Sequence, residues 1–270
     1  MKKMRLDLLL IEQELFKSRS EAISAIMNGK VLVNDKIIIK AGTLVALTSK
    51  ITVNINDQQF VSRGGEKLNK ALTEFKINIT NKICLDIGSS TGGFTDCMLQ
   101  HGALKVYSVD VGTNQLVWQL RTHKQVIVLE NTNFRYITKE IVPEPISFCA
   151  IDVSFISITK LIDALIPLLT PDAELVCLIK PQFETTRDNV ESGGVVRNFK
   201  VHQNLLEELI TFFISKKLEP WNLTFSPITG NKKGNIEYLL HLKYQEKSPL
   251  SAINVANIVL QAKEHFRKKN

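Results

Sequence analysis

The sequence lacks the features that mark metal-binding, secreted and membrane proteins. Its four cysteines show no paired metal-ligand spacing, and no stretch of its 270 residues stays apolar over the length of a membrane span. Lys2 and Lys3 precede an apolar run, but Asp7 and Glu12 interrupt it, so we expect no signal peptide here. Because three cysteines lie in predicted buried strands, we expect reduced core thiols, no metal and a cytoplasmic location.

The chain is apolar enough to fold, and more than half of its excess positive charge lies in the first 63 residues. With 44% hydrophobic residues, 270 residues can form one large or two unequal domains. Lys and Arg number 34 against 27 Asp and Glu, giving a net charge of +7. Residues 1–63 hold ten of these cations and six of the acids, so +4 of the +7 lies there. A basic segment favours a polyanionic partner.

The first sixty residues predict two helices followed by a β-hairpin. Apolar residues recur at helical spacing over residues 5–15. Ser18, with Glu21 three residues later, can cap a second helix that Asn28 and Gly29 end. Two β-branched runs then flank an Asn-Asp turn at residues 34–35. Taken alone, this pattern also fits a small solvated domain without a partner.

The feature around which the rest is organised is residues 82–94, KICLDIGSSTGGF. The apolar run around Asp86 predicts the first strand of a parallel sheet that is covered on both faces. Three glycines then let a ligand approach the backbone before a helix begins near Thr95. The spacing is neither the dinucleotide fingerprint nor a phosphate loop, so a pyrophosphate cradle is disfavoured. A purely structural tight turn is the alternative.

Further apolar runs predict strands over residues 106–110, 126–129, 146–151 and 175–179. A final antiparallel pair is predicted over residues 221–228 and 236–242, with helices over 200–217 and 252–266. Ligands of such sheets bind at the carboxyl ends of the strands, where four predicted strands end in Asp86, Asp110, Asp152 and Lys180. An acid such as Asp110 can bind the ribose of an adenosine cofactor, and the amides of Asn131 and Asn133 can read an adenine edge.

Four residues from separate segments suit transfer to a hydroxyl group: Lys67, Asp152, Lys180 and Glu237. A hydroxyl group is a poor nucleophile because its pKa is high. A lysine ammonium beside it lowers that pKa, and a carboxylate can hold the lysine in place. Each residue also has an ordinary interpretation. Lys67 and Glu237 are typical exposed charges, and Asp152 could cap the next helix.

Several segments resemble known families. Residues 5–7, 18–22, 29–34 and 41–43 resemble the S4-type RNA-binding module, and residues 86–94 resemble the first motif of S-adenosylmethionine-dependent methyltransferases. The four candidate catalytic residues resemble the Lys-Asp-Lys-Glu tetrad of FtsJ-like (RrmJ-like) ribose 2′-O-methyltransferases. With residues 61–68, 152–157, 178–184 and 233–237 added, the whole chain is similar to the TlyA family of RNA cytidine 2′-O-methyltransferases, also labelled haemolysin A.

The resemblance implies an α/β fold: a Rossmann-like methyltransferase with a mostly parallel seven-stranded sheet and a small amino-terminal α+β RNA-binding domain. It implies an RNA-binding domain at 1–59, a linker at 60–65 and a methyltransferase domain at 66–270. The catalytic candidates are Lys67, Asp152, Lys180 and Glu237. The cofactor-binding candidates are Asp86, Gly88, Ser90, Gly92, Gly93, Phe94, Asp110, Asn131, Asn133 and Asp152. The RNA-binding candidates are Arg5, Lys17, Arg19, Lys30 and Arg63.

The expected function is transfer of a methyl group from S-adenosylmethionine to a cytidine ribose in 16S or 23S ribosomal RNA. The expected partners are ribosomal subunits, with no membrane and a monomeric state. Two alternatives remain open. One is a non-catalytic RNA-binding or ribosome-assembly factor that retains the fold, and the other is a haemolysin, which no membrane-spanning run or strongly amphipathic cationic helix supports.

Overall fold

A computed structural model describes residues 3–16, 18–27, 29–53, 59–230, 234–247 and 253–267. The chain divides into two compact units, Met1–Gln58 and Gln59–Asn270. The bounds predicted for the linker stay a prediction. No helix among the described residues is long and apolar enough to cross a membrane.

The amino-terminal unit consists of two helices and two small antiparallel sheets. Its elements are β1 (Lys3–Arg5), α1 (Leu6–Glu12), α2 (Arg19–Met27), β2 (Val31–Val33), β3 (Lys36–Ile37), β4 (Leu44–Ala46) and β5 (Ile51–Val53). Strand β1 pairs with β4, and β2 lies between β3 and β5. Leu6, Leu10 and Ile26 are fully buried and form the centre of its core.

The two predicted helices and the hairpin are confirmed, with shorter bounds. Ser18 Oγ accepts a hydrogen bond from the backbone N–H of Glu21 at 3.2 Å, as a capping residue does. Asn34 and Asp35 have φ of 50° and 63°, which these residue types tolerate in a tight turn. The first helix ends at Glu12, because Glu14 already has a left-handed φ of 55°.

The second unit is an α/β domain. Its first half contains α3 (Gly64–Glu74), β6 (Ile83–Ile87), α4 (Gly93–Gln100), β7 (Lys105–Val109), α5 (Trp118–Arg121), β8 (Val126–Leu129) and β9 (Ile146–Ile151). Its second half contains α6 (Ile162–Leu165), β10 (Leu169–Ile179), α7 (Pro181–Glu184), α8 (Phe199–Ser215), β11 (Leu218–Phe225), β12 (Tyr238–Tyr244) and α9 (Val255–Arg267). The strand order is β11-β12-β10-β9-β6-β7-β8, and β12 is antiparallel to both neighbours. The predicted seven-stranded, mostly parallel sheet is confirmed.

Apolar cores cover both faces of this sheet. Along β6, Cys84 belongs to the core beneath α3 and α4, while Leu85 belongs to the core beneath α8 and α9. All four cysteines are buried and free, as predicted: Cys84, Cys97, Cys149 and Cys177. Burial raises the pKa of the Cys84 thiol to about 12. Thiols of this kind are unreactive core groups.

Two glycines of the predicted linker lie in the first turn of α3: Gly64 and Gly65. A Cβ atom at Gly65 would lie 2.2 Å from Cγ of Phe60, which is itself buried. The glycine at position 65 therefore permits close packing of an aromatic ring against the first turn of the helix.

The sheet register brings the ends of four strands together at one edge. Ile87 pairs with Ile151, so β6 and β9 end side by side, and Ile179 at the end of β10 pairs with Tyr238 at the start of β12. Residues that follow or precede these positions meet at the carboxyl edge of the parallel strands. A ligand crevice is expected at this edge.

Candidate active site

Lys180 and Asp152 form an ion pair at the carboxyl edge. The distance from Lys180 Nζ to Asp152 Oδ1 is 2.6 Å, and the two side chains are 12% and 20% exposed. Lys180 Nζ also donates a hydrogen bond to Ser154 Oγ at 2.9 Å. The lysine amine is thus held in place while one side of the pair remains reachable from solvent.

Lys67 and Glu237 form a second pair, which is more deeply buried. Lys67 Nζ donates to Glu237 Oε2 at 2.5 Å, with 11% and 3% of the side chains exposed. Leu68 and Leu72 are buried on the core face of α3, and Lys67 lies at the edge of that face. Lys70, the other lysine in this helix that could be considered, instead donates to the carbonyl oxygen of Phe225 at 2.6 Å.

The two pairs lie close enough to act on each other electrostatically. Burial raises the pKa of the Glu237 carboxyl above its ordinary value, and the charges of Lys67 and Lys180 oppose this shift. The negative charge of Asp152 adds to the shift. The structure therefore brings all four predicted catalytic residues into one cluster.

Asp86 lies beneath the glycine turn and is fully buried. Its Oδ2 accepts a hydrogen bond from Thr95 Oγ1 at 2.6 Å, and that hydroxyl lies 2.7 Å from Ser108 Oγ. Its Oδ1 has no hydrogen-bond partner among the described residues. Burial, reinforced by the charge of Asp152, raises the pKa of the Asp86 carboxyl to about 7.

Gly88 connects the glycine turn to the cluster. Its φ is +88°, and a Cβ atom there would lie 2.3 Å from the carbonyl oxygen of Asp152. The neighbouring strand end is also tied to this turn, since the N–H of Asp152 donates to the Ile87 carbonyl at 2.9 Å. Any side chain at position 88 would therefore push Asp152 away from the turn.

Asp110 directly follows β7, and its carboxylate contacts the glycine turn that follows β6. Its two carboxylate oxygens accept backbone N–H groups of Ser90, at 2.8 Å, and Gly112, at 2.7 Å. A carboxylate has about four acceptor sites, so capacity for further donors remains. Asn131 is exposed, with its N–H bonded to the carbonyl of Gly112.

Four predicted cofactor residues have local structural roles. The Asn133 side chain accepts the N–H of Arg135 at 3.2 Å and caps a short 3₁₀ helix. Phe94 is 3% exposed and belongs to the core under α3. A Cβ atom at Gly93 would lie 2.3 Å from Ser62 Oγ, so this glycine is needed for packing. Gly92 has a φ of +99° at the N-cap of α4.

The RNA-binding candidates are distributed over both units. Arg5 and Arg19 both bind the buried carboxylate of Asp7, with Nε to oxygen distances of 3.0 Å. Lys30 is half-buried, and Arg63 is exposed immediately before α3. Lys17 lies outside the described residues. Their contacts with RNA stay a prediction.

We expect the Asp7 cluster to make the stability of the amino-terminal unit depend on pH. Hydrogen bonds from Arg5, and then Arg19, hold the pKa of the Asp7 carboxyl below its ordinary value despite its burial. The stabilisation is therefore present above the unfolded-state pKa, about 3.9, and is lost as pH falls through the lower folded-state pKa. Asp7→Asn should remove it at neutral pH, seen as faster amide hydrogen exchange in α1 and α2.

Asp35→Asn is the matched control for this measurement. Asp35 pairs with Lys50 at 3.2 Å, but the two side chains are 74% and 70% exposed, and such pairs contribute little. Equal exchange rates in Asp7→Asn and Asp35→Asn would contradict a stabilising role for the buried cluster.

Comparison with known proteins assigns both units. Residues 60–244 match the family model of FtsJ-like methyltransferases, and residues 4–49 match that of the S4 domain. The 16S/23S rRNA (cytidine-2′-O)-methyltransferase TlyA of Mycobacterium tuberculosis is 37% identical over 96% of each chain. The chain belongs to the TlyA family of FtsJ-like methyltransferases.

Two further proteins are similar to this chain over nearly its whole length. The candidate rRNA methyltransferase YqxC of Bacillus subtilis is 45% identical over 99% of this chain and 97% of its own. A solved structure from Streptococcus thermophilus, described as a candidate haemolysin, is 39% identical, with a TM-score of 0.78 over 100% of this chain and 98% of that one.

Two residues near the four candidate catalytic side chains were not predicted. Phe155 is 90% exposed, with a φ of 65°, and its ring centroid lies 5.0 Å from that of Phe183. Glu184 accepts hydrogen bonds from Ser157 Oγ at 2.7 Å and the N–H of Ile158 at 2.9 Å. It ties the segment after β9 to the segment after β10. The sequence signal for Phe155 is an aromatic residue three positions after the strand-end acid, directly after Ser154.

Proposed function

We propose that this chain transfers the methyl group of S-adenosylmethionine to the ribose 2′-hydroxyl of a cytidine in ribosomal RNA. The observation that carries the proposal is the meeting of the Lys180–Asp152 and Lys67–Glu237 pairs beside the glycine turn. A positioned lysine with a carboxylate partner suits activation of a hydroxyl group.

The turn after β6 fits S-adenosylmethionine. Its fold places Gly88 and Gly92 with left-handed φ, and it leaves Asp86 Oδ1 without a partner among the described residues. Asp110 ends the adjacent strand, where an acid can accept the two ribose hydroxyls. Gly88, Ser90, Asp110 and Asn131 would hold the cofactor, which would supply a methyl group bound to a positively charged sulfur.

The tetrad performs the proposed transfer through charge and position. The Lys180 ammonium stabilises the negative charge that develops on the ribose oxygen. Asp152 Oδ1, 2.6 Å from Nζ, orients the amine and is placed to accept a proton. Lys67 neutralises Glu237, whose buried carboxylate would otherwise be costly. Alignment of the hydroxyl oxygen with the methyl group supplies much of the acceleration.

The substrate class follows from the family assignment. The S4 model matches residues 4–49, and the matching relative in M. tuberculosis is named for cytidine 2′-O-methylation of 16S and 23S rRNA. We extend that substrate to this chain, with ribosomal subunits as partners and the cytoplasm as the place of reaction. Arg5, Arg19, Lys30 and Arg63 would contact phosphates, and sequence position gives Lys17 the same role.

We further propose that Phe155 stacks on the base of the target nucleotide. An exposed aromatic ring held at positive φ, three residues after Asp152, is suited to receive an unstacked base. Phe155→Ala should lower kcat/KM for ribosomal substrate by a factor corresponding to about 1–3 kcal/mol. Phe155→Tyr should retain activity because it keeps the ring. Full efficiency of the alanine variant would contradict the stacking role.

The test of the proposed function is incubation of the purified protein with labelled S-adenosylmethionine and separated ribosomal subunits, followed by mapping of the modified nucleotide. We expect 2′-O-methylcytidine in at least one rRNA. Label on a base would contradict the proposal. Absence of cofactor binding in calorimetry would favour a non-catalytic RNA-binding factor, and leakage of liposomes without methyl transfer would favour a haemolysin.

A further inference from the structure

A cavity lined by basic and apolar side chains lies in the unit that starts at Gln59. Its volume is about 650 Å³, within the range of small-molecule sites. Four cations line it, and none of the lining residues among the described part of the chain is acidic: Arg63, Arg197, Lys263 and Arg267. None of the predicted cofactor residues lines it either.

The position of this cavity relates it to the tetrad. Arg63 immediately precedes α3 and lies four residues, about one helical turn, before Lys67. Ile236, which also lines the cavity, immediately precedes Glu237. Since Lys67 and Glu237 are bonded to each other, the cavity adjoins the more buried of the two catalytic pairs.

The wall of the cavity is fixed by buried polar side chains. Asn235 is 7% exposed; it accepts the N–H of Val196 at 3.1 Å and donates to the carbonyl of Gly194 at 2.7 Å. His202 is 1% exposed, with ring nitrogens 2.8 Å from the Val196 carbonyl oxygen and the Tyr238 hydroxyl. Residues 194–196 are therefore held against the start of β12, which fixes this wall of the cavity.

The chemistry of the lining favours a nucleotide. Guanidinium and ammonium groups bind phosphate oxygens, and the aromatic and apolar side chains offer flat surfaces for a base or sugar. The apolar part includes Phe199, Phe266, Pro227 and Ile228. Lys263 Nζ lies 5.2 Å from the centre of the Phe199 ring. Arg197 pairs with Glu191 at 2.9 Å but remains 70% exposed.

We propose that this cavity binds the phosphate and base of an RNA nucleotide flanking the one that is methylated. The inference rests on the proposed function, because an RNA strand whose target ribose lies at Lys180 must continue beyond the tetrad. The cavity gives the methyltransferase unit its own grip on RNA, in addition to the S4 domain. It takes a nucleotide within a chain and is distinct from the site of the methyl donor.

The test compares Lys263→Gln/Arg267→Gln with Lys76→Gln/Lys124→Gln, which removes the same net charge. Lys124 lies two residues before β8, at the opposite edge of the sheet, and Lys76 follows the last turn of α3; both are exposed. The probe is a labelled single-stranded 20-nucleotide oligocytidylate, titrated at several salt concentrations. Arg197→Gln, on a separate segment, is a second variant that does not depend on α9 being intact.

In the Lys263→Gln/Arg267→Gln variant, the slope of log affinity against log salt should become shallower by about 1.4, since each single-strand phosphate contact contributes about 0.7. Arg197→Gln should change the slope by about half as much. For ribosomal subunits, KM should rise at unchanged kcat, with wild-type affinity for S-adenosylmethionine. Equal slopes in the pocket variant and its charge control would overturn the inference.

Two further outcomes separate this inference from the proposed function. If the wild-type protein transfers no methyl group but the pocket variant still shows the shallower slope, the proposed function fails and the RNA cavity stands. If the variant loses affinity for free cytidine monophosphate but keeps that for the oligonucleotide, the cavity is a mononucleotide site and the inference is wrong.

Discussion

Lys180→Ala should abolish methyl transfer while leaving the protein folded and able to bind S-adenosylmethionine. Its amine is held by Asp152 at 2.6 Å and by Ser154 at 2.9 Å at the edge of the crevice. Its proposed contribution is stabilisation of charge on the ribose oxygen, for which a fall in kcat of about 10²- to 10⁴-fold is expected. Single-turnover assays with labelled cofactor, with calorimetry for binding, measure both parts.

Lys216→Ala provides the control for this experiment. Lys216 forms a pair of the same length with Asp163, 2.6 Å, but Asp163 is 77% exposed and the pair lies outside the cluster. Its loss should leave kcat unchanged. A Lys180→Ala variant that turns over at the wild-type rate would show that the tetrad is an ordinary charge network and would leave only the RNA-binding interpretation.

The parts of the fold that sequence could predict are those with a strong local pattern. Strands β8 and β9 have the predicted bounds, because each is a short apolar run bounded by a polar residue or a proline. The four catalytic candidates were found individually, since each stands in a short motif. That these four side chains lie close together was inferred only from the rule that ligands bind at the carboxyl ends of parallel strands.

The features that sequence could not supply depend on contacts between distant segments. An aspartate in the first turn of a helix, such as Asp7, is usually exposed. Here it is fully buried, and Arg19, twelve positions later, donates a hydrogen bond to its carboxylate. Gly93 is predicted to approach a ligand, and the structure adds a packing reason for its small size, because a Cβ there would lie 2.3 Å from Ser62 Oγ. No local pattern encodes either neighbour. Backbone strain, such as the positive φ of Phe155, is equally invisible in a sequence of ordinary residue types.

Glu184 illustrates how such contacts support the site. Its carboxylate is largely surrounded by protein, and burial raises its pKa while bonds from Ile158 and Ser157 oppose the shift. The residue therefore spans the loops that carry Asp152 and Lys180. Sequence could place it in the Lys-Pro-Gln-Phe-Glu motif, but only the three-dimensional arrangement shows that it joins two strand ends.

Gly88→Ala should eliminate cofactor binding and transfer together, through the backbone and not through a lost side chain. The new Cβ would lie 2.3 Å from the carbonyl oxygen of Asp152, a backbone atom that cannot rotate away. The positive φ of +88° adds strain of about 1–3 kcal/mol for a residue with a side chain. Relief of the clash must separate the turn from Asp152, which displaces both the cofactor loop and a member of the tetrad.

Gly102→Ala separates the two components of this effect. Gly102 has a similar φ of +81°, but a Cβ there would lie no closer than 3.4 Å to Thr80. It should show a lower melting temperature from backbone strain alone, with normal affinity for S-adenosylmethionine and normal transfer. Gly88→Ala should lose more stability and show no measurable heat of cofactor binding. Wild-type cofactor affinity in Gly88→Ala would mean that S-adenosylmethionine binds elsewhere than at this turn.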